Sequence, residues 1–318
     1  MRIYTGLDVH SDFNGRFPWS SRFIDHGGIR QAYVDEGPST SGVTFVCLHG
    51  NPSWSFLYRD FIRRLSASYR VVAVDHVGFG RSDKPRNHDY YTISQHVENL
   101  RELLDYAGVS RAIPILHDWG GPIGMGWATQ HPERVAGVVV LNTTAFADLP
   151  VPKLPFPFRL LGAQRAVDNN LLVEWFLGRL GTSRKMRKQD LDPYRAPFAT
   201  PAERVGMAQM PNIYQTTLLP RRDPTWEPWP WSCASETTRE LSRLRDKPAL
   251  ICWAGRDRAF RQRHLARWRA TFENVDGPHV LEHARHFLQE DAGRTILDHI
   301  ERWTSGKALR TSTQYTGS

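Results

Sequence analysis

Cysteine is scarce. Cys47, Cys233 and Cys252 are the whole complement of a 318-residue chain. Their spacing matches no metal-ligand pattern, so no metal and no cofactor is implied. Cys47 and Cys252 sit inside apolar, strand-like runs and read as small core residues. Long hydrophobic runs are absent as well. None approaches the ~20 residues needed to cross a bilayer, which argues against a membrane protein. Residues Met1 to Asp12 are polar and contain no signal-peptide h-region, so the expected location is cytoplasmic. No internal repeat is visible. Charge is lopsided at a formal +8, yet the basic residues are interspersed with acids, apart from local groups at Arg184 to Lys188 and Arg261 to Arg269. With no nucleic-acid motif among them, they read as a solvated surface and not as a nucleic-acid face. Hydrophobic residues make up 40%, enough for a large core, and one domain with an insertion fits this length.

Apolar runs alternate with helix-compatible stretches along the first half. Ile29 to Glu36 alternates apolar and polar residues and stops at Gly37-Pro38, a strand and a turn. Thr44 to Leu48 is a buried strand, followed by the loop His49-Gly50-Asn51-Pro52-Ser53 and a helix over Trp54 to Leu65. Arg70 to Val74 is the next strand. Thr92 to Ala107 has helical periodicity, with a Thr start and a Gly108 stop. Val135 to Leu141 is a further strand. After Asn142 the pattern breaks. From about Phe146 to Glu236 the chain is rich in Pro, Trp, Arg and Phe, lacks strand runs, and offers helical pieces at Leu160 to Asp168, Leu171 to Leu180 and Pro201 to Met207. Alternation then resumes with a helix ending at Leu241 to Arg245 and a strand over Ala249 to Trp253. A helix over Arg263 to Phe272, a strand at Val280-Leu281 and a helix over Phe287 to Trp303 follow. These spacings predict a mostly parallel sheet flanked by helices. The core is residues 1–145 and 237–305, a helical cap is inserted at 146–236, and 306–318 is a loose tail.

One stretch carries chemistry. Ile113-Pro-Ile-Leu116 is an apolar run that ends in His117-Asp118-Trp119-Gly120-Gly121, and a helix-compatible segment continues to Gln130. Strand, sharp turn and helix have the shape of the nucleophile elbow of α/β-hydrolases, with Asp118 in place of the usual serine and Leu116 in place of the first glycine. Gly120 and Gly121 let the helix backbone pass close to the strand. A serine needs a base to remove its proton, whereas a carboxylate with a pKa near ~4 is already an anion at neutral pH. It can attack a saturated carbon and form an ester that activated water then hydrolyses; a serine ether would be a dead end. Asp118 therefore predicts substitution at an sp3 carbon and not acyl transfer.

Two further residues complete the order nucleophile, acid, base of this fold. Asp257 follows the strand Ala249 to Trp253, and is preferred to Asp246 and Asp276 because it ends a buried strand. His286 lies between the last strand and the last helix, and is preferred to His283 because it directly precedes the apolar start of the helix. His286 is expected to be neutral and to take a proton from water, with Asp257 holding its tautomer. The backbone amides of Asn51 and Trp119 are the expected oxyanion donors. The Trp119 indole N–H and the Asn51 carboxamide NH2 are uncharged donors suited to a departing halide.

Several segments are similar to those of the haloalkane dehalogenases. They are Tyr33-Val-Asp-Glu-Gly37, His49-Gly-Asn-Pro52, Gly78-Phe-Gly-Arg-Ser-Asp-Lys-Pro85, His117-Asp-Trp-Gly-Gly121, Tyr194-Arg-Ala-Pro-Phe198 and His286-Phe-Leu-Gln-Glu-Asp291. The likeness runs from about residue 13 to 304. It implies an α/β-hydrolase fold with a cap and a triad of Asp118, His286 and Asp257. Asn51 and Trp119 would bind the halide. The expected partners are a small apolar halogenated alkane, water and the halide ion, with self-association compatible. One branch of that family uses a Glu after the strand preceding the cap. Asn142 stands there and cannot act as the acid, so the resemblance leaves that role to Asp257. Another branch takes a second halide-binding Trp from the cap; Trp175 is available, though its apolar helical run reads as core. The rival reading is an epoxide hydrolase, which shares His-Asp-Trp-Gly-Gly and protonates its alkoxide from two cap tyrosines. Tyr194 and Tyr214 are available here. Against it, Asn51 has no evident part in opening an epoxide.

Overall fold

A computed structural model describes residues 10–149, 163–214 and 230–306. Eight strands form one sheet in the order β1-β2-β4-β3-β5-β6-β7-β8. β1 (Arg22–Asp25) and β2 (Arg30–Glu36) run antiparallel, and β2 is antiparallel to β4 (Arg70–Val74). The remaining strands are parallel, namely β3 (Thr44–Leu48), β5 (Ala112–Asp118), β6 (Val138–Thr143), β7 (Ala249–Ala254) and β8 (Val275–Leu281). Every residue of β3, β6 and β7 is buried. That is why these strands read as continuous apolar runs: a parallel sheet covered on both faces has no polar side.

Helices α1 (Arg59–Leu65), α2 (Ile93–Tyr106) and α3 (Gly120–Gln130) follow β3, β4 and β5. Thr92 caps α2 by accepting from the Gln95 N–H at 3.1 Å, as its sequence position predicts. α3 is apolar all round because it is buried along nearly its whole length.

The chain leaves the sheet after β6. The described cap elements are α4 (Ala163–Asp168), a π-helical segment (Leu172–Leu180), α5 (Lys188–Arg195) and α6 (Val205–Tyr214). Helix α7 (Pro230–Glu240) spans the expected boundary at 236. α8 (Gln262–Thr271) and α9 (Leu288–Ser305) complete the core. The tail from 307 onward, and the first residues of the helix expected at 160–168, lie outside the described residues. Among the described residues no helix is long and apolar enough to cross a membrane. Cys47 and Cys252 are buried core residues, while the side chain of Cys233 lies outside what is described.

Two strands were not legible in the sequence at full length. β1 is a four-residue edge strand and carries little pattern. β8 contains Gly277-Pro278 and two charged or titratable side chains, and its residues are half-buried or exposed, so only its apolar end stood out.

The cap is tied to the core through Tyr194 and Pro193. Arg59 makes a bidentate pair with Glu290 at 2.5 and 2.8 Å, and the Tyr194 hydroxyl donates to the same carboxylate. The Trp54 indole N–H donates to the Pro193 carbonyl at 3.0 Å.

The junction of β5 and α3 is the tightest point. A Cβ on Gly121 would lie 2.6 Å from the Thr144 carbonyl oxygen and collide with the Thr143 hydroxyl. Gly121→Ala should therefore lower stability by roughly 1–3 kcal/mol, the usual cost of overpacking, measurable as a lower urea midpoint. An unchanged midpoint would mean that this corner yields easily.

Candidate active site

The carboxyl ends of β3, β5, β6 and β7 meet at this corner. Asp118 ends β5 with φ at +49°, a left-handed conformation that Asp tolerates better than most residues. The turn lifts its side chain off the sheet. A Cβ on Gly50 would lie 2.5 Å from the Asp118 Cγ, so the loop after β3 can pass the carboxylate only because residue 50 is glycine. The Asn51 backbone N–H then donates to Asp118 Oδ1 at 2.8 Å.

His286 faces the other oxygen, with Nε2 3.5 Å from Asp118 Oδ2. Its Nδ1 donates to Asp257 Oδ2 at 3.0 Å. Asp257 comes from the loop after β7, where its Oδ1 accepts from the Ala259 N–H at 2.7 Å. The side chains of His286 and Asp257 are 3% and 0% exposed, whereas Asp118 keeps 13%. Asp118 is thus the member of the three that an incoming molecule can reach. The rivals stand elsewhere. His283 is exposed beside Arg256, Asp246 pairs with Lys247, and Asp276 pairs with His279.

Asn142 has a part that sequence reasoning missed. It is the penultimate residue of β6, with φ at +32°. Its Nδ2 donates to Asp257 Oδ2 at 2.8 Å, and its Oδ1 accepts from the Ala254 N–H at 2.6 Å. It cannot act as an acid, but it fixes the oxygen that His286 uses. The signal was its position at the end of a buried strand. His117 was also missed. It lies under the site and donates from Nε2 to the His286 carbonyl at 2.8 Å. Burial pushes it down to about 3, with the His286 charge adding to the effect, so it is neutral.

The groups around His286 pull its pKa in the direction opposite to that of the neutral base expected of it. Burial pulls its pKa down, but Asp257, together with hydrogen bonding to Asp118 and Asp257, outweighs burial and holds the imidazolium up to about 10. Asp118 shows the mirror effect. Burial would raise it, yet His286 and the Asn51 N–H hold its carboxyl below the usual value.

The two expected halide donors stand on different elements. Trp119 is buried and caps the N-terminus of α3, immediately before Gly120. Asn51 is buried too, but its carboxamide is partly committed: Nδ2 donates to the Met207 carbonyl of α6 at 2.9 Å, and Oδ1 is buried without a partner. One of its two amide N–H bonds remains for a ligand. The cap residues offered by other readings do not join the site. Trp175 is 45% exposed with the Arg179 guanidinium 5.4 Å over its ring, so it is neither core nor a halide donor. Tyr194 is buried and its hydroxyl is held by Glu290. The side chain of Tyr214 lies outside the described residues. Among the described residues no group of three His, Cys, Asp or Glu side chains could hold a metal ion.

Chemically, the arrangement offers an anion seated on one N–H at a strand–helix corner. Beside it stands an imidazole whose far nitrogen is fixed by a second carboxylate. Comparison with known proteins bears on the fold and the family. Residues 43–293 match the model of the α/β-hydrolase fold family. Haloalkane dehalogenase 2 of Mycobacterium tuberculosis is 35% identical over 90% of this chain and 96% of its own. A cis-3-alkyl-4-alkyloxetan-2-one decarboxylase of Shewanella oneidensis is 32% identical over 90% of this chain and 88% of its own. A tetrameric haloalkane dehalogenase of Paraglaciecola agarilytica superposes with a TM-score of 0.76, at 24% identity, over 96% of this chain and 98% of that one. The chain belongs to the α/β-hydrolase fold family and, within it, to the haloalkane dehalogenase family, whose relatives include alkyloxetanone decarboxylases.

Proposed function

We propose that this chain is a hydrolytic haloalkane dehalogenase working through an alkyl ester on Asp118. The observation that carries the reading is the line Asp118, His286, Asp257, at 3.5 and 3.0 Å. Asp118 Oδ1 is held by the Asn51 N–H, which leaves Oδ2 to attack the carbon that bears the halogen. Halide departs toward the Trp119 indole and the remaining Asn51 amide N–H, two neutral donors that need not be discharged when the ion leaves. Oδ1 becomes the ester carbonyl oxygen and stays on the Asn51 N–H. His286 then takes one proton from a water that attacks Cγ, while Asp257 and Asn142 keep the ring aligned. Charge builds on Oδ1, where its donor already sits. Alcohol leaves and Asp118 is restored. This chemistry calls for no cofactor.

A second reading has a specific observation behind it. The Asn51 carboxamide has already given one N–H to Met207, which weakens the case for a site built around halide. An oxetan-2-one carries its leaving group as a ring carboxylate. Attack by Asp118 on C4 would break the O–C4 bond and leave a β-acyloxy carboxylate. Loss of carbon dioxide would expel the Asp118 carboxylate and give an alkene, with no water and no base required. The epoxide reading is disfavoured, because the Tyr194 hydroxyl that should protonate an alkoxide is held by Glu290.

His286→Phe separates these readings. With a brominated alkane, the variant should release a single equivalent of bromide and hold the alkyl group on an Asp118 peptide, seen by mass spectrometry. Absence of that adduct would contradict the ester mechanism. With a cis-3,4-dialkyl oxetan-2-one, the wild-type chain should form no alkene. Sustained alkene formation that survives His286→Phe would instead establish the decarboxylase reading.

A further inference from the structure

His286 is enclosed by the two carboxylates it serves. Asp257 accepts at one ring nitrogen and Asp118 faces the other. Among the described residues, the rest of its surroundings are uncharged. Phe176 of the cap lies 5.3 Å from its ring, Phe260 of the loop before α8 at 5.7 Å, and Phe287 at 4.9 Å. His117 below it, at 4.9 Å, is neutral. Among the described residues, the charged groups facing the ring are therefore Asp118 and Asp257.

A neutral ring here would leave two buried anions with no cation between them. Placing one proton on the ring halves the uncompensated charge, which is the cheaper arrangement in a medium of low polarity. Esterification changes that balance. The alkyl ester of Asp118 carries no charge, so one of the two groups that favour the imidazolium disappears while the burial that opposes it remains.

We propose that His286 rests as an imidazolium between Asp118 and Asp257, and that ester formation on Asp118 discharges its proton to solvent, making the ring a base only once there is an ester to hydrolyse. The proposal rests on the ester mechanism above. The balance closes over a cycle. Alkylation consumes the Asp118 anion and frees halide. The imidazolium gives one proton to solvent. Attack by water then returns one proton to His286 and leaves the other on the alcohol, restoring the Asp118 carboxylate and the imidazolium. One halide, one proton and one alcohol are released, but the proton leaves between the other two.

The full chain labelled with 15N-histidine tests the resting state without any substrate. In the wild-type protein the His286 ring, assigned by its loss in His286→Phe, should remain protonated through neutral pH. Asp118→Asn imitates the uncharged ester. Its His286 midpoint should fall by ~1–3 pH units, the usual effect of removing an adjacent opposite charge. A neutral His286 in the wild-type protein at pH 7.5, or equal midpoints in the two, would overturn the proposal. Should Asp118→Asn fail to fold, rapid mixing of the wild-type protein with a brominated alkane and a pH indicator decides instead. Protons should appear with the halide burst and before alcohol; protons appearing only with alcohol would overturn it. Failure to form any adduct in quenched samples would count against the ester mechanism, while the histidine titration would still report on the resting charge.

Discussion

A single carboxylate, turned out of a buried strand by a left-handed residue, sets the terms for everything around it. Asp118 can occupy this corner because Gly50 lets the neighbouring loop pass and Gly121 lets the helix pack beneath. The sheet then brings three other strand ends to the same place. β3 delivers the Asn51 N–H, β6 delivers Asn142, and β7 delivers Asp257. Ligands of open parallel sheets collect at the carboxyl ends of the strands, where loops are free to carry chemistry while the strands keep them in register.

Much of this was legible in the residues, for physical reasons. Strands buried on both faces must be apolar throughout, so β3, β4, β6 and β7 stood out. The elbow was legible because a charged residue between an apolar run and small residues has few structural explanations. Asp257 and His286 followed from the order of elements. What stayed hidden has its own logic. β1 and most of β8 lie at sheet edges, where burial imposes little pattern. Asn142 looked like an empty place because only its acidity was considered; its role is to donate. The electrostatic setting of His286 was equally hidden. It depends on two carboxylates standing on opposite sides of one ring, and no linear spacing encodes that.

The cap presents a similar contrast. Its helical character could be read, but its attachment could not. Tyr194 is offered by the sequence as a proton donor only on the rival epoxide reading, and in the fold it is a structural bond to Glu290, backed by the bidentate pair with Arg59. Glu290 lies four residues after His286, so the same short segment carries the base and anchors the cap. Asn51 works from the opposite side, with its backbone on Asp118 and its side chain on Met207. The position of the cap and the geometry of the reacting groups are therefore held by shared residues.

The route of oxygen through the site gives the most direct test of a carboxylate nucleophile. In a single turnover of a brominated alkane in 18O-labelled water, with enzyme in excess, the alcohol should carry unlabelled oxygen drawn from Asp118. The heavy isotope should be found in an Asp118 peptide. Label in the alcohol with none in that peptide would mean that water attacks the substrate directly, and would contradict the account.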